Sequence, residues 1–321
     1  MPDVIPVIPV GPGEYDALRA ARVIDSLARH EADLKRVVLL VDGVTEAALR
    51  PKLNPSPLPL AFVENPRRGR GSGVFDGLAC GLTAAFRFIA DQHPGAHVWK
   101  IDSDALVLRR TSDQIAAYFA ASPGFGLTGT FATNPGGTSR EAEFAIGQQV
   151  MRKFLRPVWY WRTSGGVTSP YVGKARRFAK LMRDAHAAGL PWGWHVQGGS
   201  YGVNGAFLDR LKTAGRLDAP ENWLGCPMSE DQCFTHWAIL QGFTVGDFNR
   251  PGDAFGIKAA GLPMPVDELI AANYGVVHSL KTGDWASECA LADELIRRSG
   301  PLSHDYMGEG TRSTIRSMSR P

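Results

Sequence analysis

Four groups of residues in this chain have types and spacings suited to chemistry. The first is Asp102-Ser103-Asp104, directly after the apolar run Val98-Trp99-Lys100-Ile101. In an extended segment, residues two apart point to the same side. Two carboxylates so placed can hold a hard divalent cation through oxygen, and such a cation neutralises phosphate charge and steadies a leaving group. A solvated turn can carry the same three residues, but the position at the end of an apolar strand favours the ligand reading. The second group is Ser229-Glu230-Asp231, which opens a helical stretch. Ser229 suits a helix N-cap, and acids suit the first turn. The helix terminus is expected to lower a carboxyl pKa and keep the group ionised, as a general base requires. The cap and the base readings are equally compatible with these residues alone. The third is Arg67-Arg68-Gly69-Arg70-Gly71-Ser72-Gly73 before a helix. Glycines allow close backbone approach, and the helix N-terminus together with arginine forks attracts phosphate. Arg68, Arg70 and Gly73 are the candidate contacts there, with a solvated basic loop as the alternative. The fourth is Trp192-Gly193-Trp194-His195. Its tryptophan faces could stack on a ring-shaped acceptor or simply pack in a core.

These groups need a scaffold that brings strand ends together. Val4 to Val10 reads as a β-branched strand broken by Pro6 and Pro9, and it ends at Gly11-Pro12-Gly13-Glu14. Glu14 to His30 has helical spacing. Arg36 to Val41 is a strand ending at Asp42, and Leu60 to Val63 is another ending at Glu64. Gly73 to Ala90 reads as a helix and His97 to Ile101 as a strand. This β-α-β-α order implies α/β architecture with parallel strands and right-handed crossovers. Ligands in such sheets bind beyond the carboxyl ends of the strands, which singles out Gly11, Glu14, Asp42, the arginine–glycine loop and the two aspartates. Further on, Gly124 to Thr130 reads as a strand, Lys174 to Ala188 and Ser229 to Gln241 as helices, and Phe243 to Phe248 as a strand. The stretch 134–195 reads as an irregular insertion, and the polar, basic tail 308–321 as mobile. The expectation is one domain, with a ligand-binding half over 1–110 and a second half over 124–285.

Composition narrows the classes. The chain has 321 residues, 44% hydrophobic and 21% charged, with a formal net charge of +3. That charge is compatible with an anionic ligand and does not call for nucleic acid. Four cysteines, Cys80, Cys226, Cys233 and Cys289, include no C-x-x-C pair. A cytoplasmic chain with reduced thiols is expected. Cys226, Cys233, His195 and His236 match no familiar zinc spacing, so buried thiols are the expectation. No apolar run approaches the ~20 residues of a membrane helix, though peripheral membrane contact stays open. The G-x-G-x-x-G and Walker A patterns are both absent, which disfavours dehydrogenases and P-loop enzymes.

The motif order resembles the GT-A glycosyltransferases over about residues 4–285. It comprises an apolar strand ending in Asp-x-Asp, then the glycine-rich Gly198-Gly199-Ser200-Tyr201-Gly202-Val203-Asn204-Gly205, then Glu230-Asp231 opening a helix closed by Gly242-Phe243-Thr244-Val245. The resemblance implies a three-layer α/β/α sandwich around a mostly parallel sheet. It implies a Mn²⁺ or Mg²⁺ ion and a nucleotide-sugar donor, with a UDP-sugar as the commonest choice. By the resemblance Asp104 is the direct metal ligand, and Asp102 assists through metal or ribose. Asp42 meets the base, although a turn or helix-cap role is equally open. Asp231 is the base of an inverting transfer and Glu230 touches the acceptor. Gly199 and Tyr201 fall near the acceptor, with Trp192 and Trp194 as aromatic partners. The family often adds a late histidine ligand, for which Val276-Val277-His278 fits, and Lys281 would then meet the diphosphate.

The reaction so implied is transfer of a sugar from a nucleotide-diphosphate sugar to an acceptor hydroxyl, the acceptor being a glycan, lipid, small molecule or protein. Two alternatives stand beside it. A nucleotidyltransferase acting on sugar phosphates uses a similar sheet, but the Gly11-Pro12-Gly13-Glu14 loop lacks the expected basic residue. A non-catalytic sugar- or nucleotide-binding protein would not need both acidic motifs. His278, Lys281 and Trp285 also resemble a pattern of some retaining members, in which Asp231 would not act as a base.

Overall fold

A computed structural model describes residues 2–53, 55–69, 77–145, 148, 171–224 and 228–299, with side chains of 171–175 excepted. Arg70, Gly73, Cys226, Trp159, Trp161 and the tail 308–321 lie outside the described residues.

The chain folds as β1 (Val4–Val10), α1 (Asp16–His30), β2 (Val37–Val41), α2 (Glu46–Leu49), β3 (Leu60–Glu64), α3 (Leu78–Gln92), β4 (His97–Ile101), β5 (Leu106–Val107), α4 (Ser112–Ala121) and β6 (Phe125–Gly129). Then come α5 (Tyr171–Ala187), β7 (Ser200–Val203), α6 (Gly205–Thr213), α7 (Glu230–Leu240), β8 (Thr244–Asp247), β9 (Phe255–Ile257), α8 (Val266–Ala272), β10 (Val276–His278) and α9 (Trp285–Arg298). Seven strands form one sheet in the order β3-β2-β1-β4-β7-β6-β8, and β5-β10-β9 form a second, smaller one. In the large sheet only β7 runs antiparallel to its neighbours. Strand order reverses between β1 and β4, so a cleft opens beyond their carboxyl ends.

Alternation along the strands divides the core into two layers. Ile5, Val7, Val38, Leu40 and Val98 face one side, packed with α3, α5, α6 and α7 residues such as Phe86, Met182, Phe207 and Phe234. Val4, Ile8, Val10, Leu39 and Ile101 face the other, against α1 and α4 and the second sheet through Ile24, Ile115, Phe255 and Val276. Both faces of the inner strands are therefore apolar, as a covered parallel sheet requires. This is the expected three-layer α/β/α arrangement. The second sheet has its own apolar outer face, where Leu106, Val277 and Leu280 meet Leu269 of α8 and Leu295 of α9. No helix among the described residues is long and apolar enough to cross a membrane.

One expectation needs correcting. Pro6 and Pro9 do not break the first strand, although β1 lies in the middle of the sheet. Proline is normally confined to edges because it cannot donate to the ladder. Here β1 pairs with β4 through Val4 to Val7 and with β2 through Val7 to Val10. Asp3 carbonyl oxygen accepts from His97 N–H, and Val10 carbonyl oxygen accepts from Asp42 N–H. Odd residues thus face β4 and even ones β2. Pro6 faces β2 before that pairing begins, and Pro9 faces β4 after that pairing has ended. Neither ladder is deprived of a donor.

The β7–α6 corner is packed backbone to backbone. A Cβ at Gly205 would lie 2.7 Å from the Gly95 carbonyl carbon and 2.9 Å from the Ala96 oxygen. Gly205→Ala is therefore expected to destabilise the fold by about 1–3 kcal/mol, read as a lower urea midpoint with an unchanged m-value.

Candidate active site

Three strand ends build the site. After β4 the chain makes one turn, closed by Ala105 N–H donating to Asp102 O at 3.0 Å, and enters β5 in the second sheet. Asp102 and Asp104 occupy this crossing between the sheets. β10 lies antiparallel to β5, with Val277 opposite Leu106, so the next residue, His278, arrives beside the turn. On the other flank β7 pairs antiparallel with β4, with Ser200 opposite Ile101. That register puts Gly199 opposite Asp102, and Asp102 N–H donates to Gly199 O at 2.9 Å.

Ligand-capable atoms of Asp102, Asp104 and His278 lie within 4.8 Å of one another. His278 Nε2 stands 3.4 Å from Asp104 Oδ1 and 3.7 Å from Asp102 Oδ2. The opposite atom of each side chain is engaged elsewhere. His278 Nδ1 lies 2.8 Å from Lys258 O; a carbonyl only accepts, so Nδ1 carries a proton, and in the neutral ring Nε2 has a lone pair to offer a metal. Asp104 Oδ2 accepts from Ser279 Oγ at 2.6 Å and faces Lys281 Nζ at 3.4 Å. Asp102 Oδ1 meets Lys100 Nζ at 2.8 Å. One atom from each residue remains aimed at a common point. Two hard oxygens and an imidazole nitrogen fit a Mn²⁺- or Mg²⁺-type cation.

The electrostatics follow from burial and neighbours. Burial would raise the Asp104 carboxyl, but His278, Lys281 and Ser279 outweigh it and hold the carboxyl well below the usual range. Burial would lower the His278 imidazole, yet the Asp104 hydrogen bond and the charges of Asp104 and Asp102 raise it on balance. Lys100 is wholly buried in β4. Its ammonium donates to Glu230 Oε1 at 3.0 Å and to Gly198 O, besides pairing with Asp102. Burial disfavours that charge, but Asp102 and Glu230 reverse the effect and raise its pKa.

The acids of α7 sit across the glycine pair from this cluster. A Cβ at Gly198 would come 2.8 Å from Asp231 Oδ2 and 3.1 Å from Glu230 Oε1. A Cβ at Gly199 would strike the His278 ring, 2.7 Å from Cε1. Only glycines let the two acidic groups approach from opposite sides of one backbone. Asp231 Oδ1 accepts from Gln232 N–H at 2.7 Å and from Ser229 Oγ. The expected lowering of the Asp231 pKa is not found. Burial raises it, and the helix-terminal hydrogen bonds only partly oppose that. Burial also pushes Glu230 up to about 7, with Lys100 opposing and Asp231 adding to the rise. Glu230 is spent on Lys100 rather than presented to an acceptor.

The remaining candidates are spread over two regions. Gly11, Asp42, Asn65, Arg67 and Gly69 line a cleft of about 350 Å³ at the ends of β1, β2 and β3. Asp42 is held there by Arg67 Nε at 2.8 Å and by Gly69 N–H at 2.7 Å. Arg68 points away: its exposed guanidinium pairs with Glu64 at 3.2 Å. Glu14 is exposed, and Asp16 instead accepts from Gly13 N–H at 2.9 Å to close that turn. Tyr201 is fully buried with its ring centroid 5.5 Å from Lys100 Nζ, so it supports the lysine and cannot meet an acceptor. Trp194 stacks on Phe144 at 4.8 Å, and Trp192 packs against His186 at 4.4 Å. Among the described residues the sole cluster of metal-ligand type is Asp102, Asp104 and His278, so Cys233, His195 and His236 join no such group.

Sequence reading passed over Lys100, Ser279 and the Lys258 carbonyl. A lysine two residues before an aspartate, set between the apolar Trp99 and Ile101 of a strand, was the available signal for the first. Ser279 and Lys258 gave none, because their roles depend on the second sheet.

No protein-family model and no curated protein matches the chain. Among solved structures it is similar to galactosyltransferase LgtC in complex with donor and acceptor sugar analogs, with 15% identity and a TM-score of 0.45 over 96% of this chain and 99% of that one. It is also similar to the apo bifunctional glycosyltransferase WbbM, with 14% identity and a TM-score of 0.46 over 99% of this chain. The chain spans about half of WbbM, 52%.

The Gly199–His278 contact gives a direct test. Gly199→Ala is expected to displace the imidazole and weaken Mn²⁺ binding by about tenfold or more, measured by calorimetry, with far-ultraviolet circular dichroism unchanged.

Proposed function

We propose that the chain is a metal-dependent glycosyltransferase that moves a sugar from a nucleotide-diphosphate sugar to an acceptor hydroxyl with inversion. The observation that carries this reading is the pairing of two groups across Gly198-Gly199. On one side three ligand atoms converge with their opposite atoms pinned. On the other stands a buried carboxylate with a raised pKa.

In this reading Asp102, Asp104 and His278 hold a divalent cation, which supplies charge neutralisation to the departing nucleoside diphosphate. The cleft at Gly11, Asp42 and Arg67 takes the nucleoside part of the donor, with a uridine nucleotide the first to try. Lys281, exposed and 3.4 Å from Asp104 Oδ2, can turn toward the diphosphate. Asp231 accepts the acceptor hydroxyl proton on Oδ2, since Oδ1 is held by Ser229 and Gln232. A carboxyl whose pKa is raised toward the working pH is a stronger base than an ordinary aspartate. Burial excludes competing water, and Lys100 fixes the distance between the two acidic groups. Trp192 and Trp194 remain candidates for an acceptor wall through their half-buried edges.

Asp231→Asn is expected to lower kcat by about 10²-fold or more while nucleotide and Mn²⁺ binding persist. Proton NMR of the product anomer should show inversion; near-normal transfer by the variant, or a retained anomer, would remove Asp231 as base. A panel of nucleotide-sugars, screened by thermal melting with Mn²⁺, should contain one that raises Tm by about 3 °C or more, an effect abolished by EDTA. No response from any member would count against the donor class.

A further inference from the structure

Arg140, in the segment between β6 and α5, has only 2% of its surface exposed. Its guanidinium makes hydrogen bonds in three directions. Nη1 donates to Thr130 O at 2.8 Å and Phe131 O at 2.9 Å, at the end of β6, and to His195 O at 3.1 Å. Nη2 donates to the Gln197 side-chain oxygen at 3.0 Å, and Nε to Glu143 at 3.0 Å. A planar fork meets acceptors spread in this way, whereas a lysine ammonium is a single point. The buried charge is balanced by Glu143, itself held by Asn134 Nδ2 at 2.9 Å, and by the Phe144 ring, whose centroid lies 4.6 Å from Arg140 Cζ.

The fork joins the end of β6 to the segment that enters β7. In that segment Val196 N–H donates to Thr235 Oγ1 at 3.1 Å, and Gln197 N–H donates to Thr130 O at 2.8 Å, the same oxygen that Arg140 holds. Lys100 takes Gly198 O, and Gly199 O accepts from Asp102 N–H at 2.9 Å. The end of β6 is itself set from its other side by Asp247 Oδ1, which accepts from Phe131 N–H at 2.7 Å and Ala132 N–H at 3.0 Å. Glycine backbone is the freest of all, so Gly198 and Gly199 keep their place only through such anchors. The Arg140 charge reaches further, as one of the groups opposing the rise of the Asp231 carboxyl. We propose that Arg140 is a positioning residue of the site: its fork sets the backbone of Gln197-Gly198-Gly199, and through it the placement of Asp102 and His278 relative to Asp231. Among the described residues, none of its hydrogen bonds goes to Asp102, Asp104, His278 or Asp231. The proposal rests on the reading of Asp102, Asp104 and His278 as a cation site, and adds to it a residue from another part of the fold.

The test uses Arg140→Lys in the full chain, which keeps the charge and loses the fork. Amide hydrogen exchange, followed by NMR without ligand, should speed up about tenfold at Gln197 and Asp102. The amides of His97 and Asp42, bonded in the same sheet to Asp3 O at 2.8 Å and Val10 O at 3.0 Å, should stay within about twofold. Calorimetric titration with Mn²⁺ alone should then show binding weakened by about three- to tenfold, with every ligand side chain still present. If Arg140→Lys does not fold, Gln197→Met, which removes a single prong, should still speed exchange at Asp102 by about threefold. Equal acceleration at all four amides would mean that Arg140 serves only global stability, and unchanged exchange that it holds nothing; either result overturns the proposal, as does Mn²⁺ affinity equal to that of the parent chain. If the parent chain itself binds no Mn²⁺, the cation reading fails, while exchange at Gln197 and Asp102 against His97 and Asp42 still decides whether Arg140 positions the glycine pair.

Discussion

The buried ammonium of Lys100 is the interaction on which the site depends. It reaches out of β4 to Asp102 on its own chain segment, to Glu230 at the start of α7, and to the Gly198 carbonyl on the segment entering β7. Three elements distant in sequence are tied at one atom. An unpaired charge in such a place would be severely unfavourable, and removing one partner from a buried ion pair typically destabilises by about 3–5 kcal/mol. The arrangement is therefore stable only as a whole. This gives the two acidic groups a fixed separation without rigid secondary structure between them.

Small residues and antiparallel pairing do the remaining work. Because β7 runs against β4, the segment entering β7 lies level with the end of β4, and Gly199 falls opposite Asp102. A parallel strand in that slot would have brought its other end there. The glycine pair then lets α7 and β10 approach from opposite flanks. Hydrogen bonds to the far atoms of Asp102, Asp104 and His278 decide which atom of each side chain faces inward, as outer contacts do for metal ligands elsewhere.

Much of this could be read from the chain, and the parts that could not share a cause. The alternating elements of the first hundred residues, the Asp-x-Asp at the end of β4 and the helix opening at Glu230 are local patterns, written in periodicity and caps. Asp102, Asp104 and His278 are brought together as the resemblance implied. What escaped depends on contacts between distant segments. The direction of the Asp231 pKa was misjudged because a helix terminus is local, whereas the burial that overrides it comes from the surrounding fold. Arg68 and Arg67 are adjacent and chemically equal, yet the positive φ of 53° at Arg68 accompanies a turn that sends one guanidinium to Glu64 and the other to Asp42. Pro6 and Pro9 looked like strand breakers because pairing partners are invisible in a linear pattern.

The second sheet has a consequence for the order of assembly. Strands β1 to β4 and their helices gather apolar surface from the first hundred residues, but β10, which carries the histidine, lies near the end of the described chain and pairs with a two-residue strand. During synthesis both carboxylates emerge long before the imidazole, Asp104 standing 174 positions ahead of His278. The three side chains that could hold an ion therefore converge only in a chain whose β10, the last strand among the described residues, has joined β5.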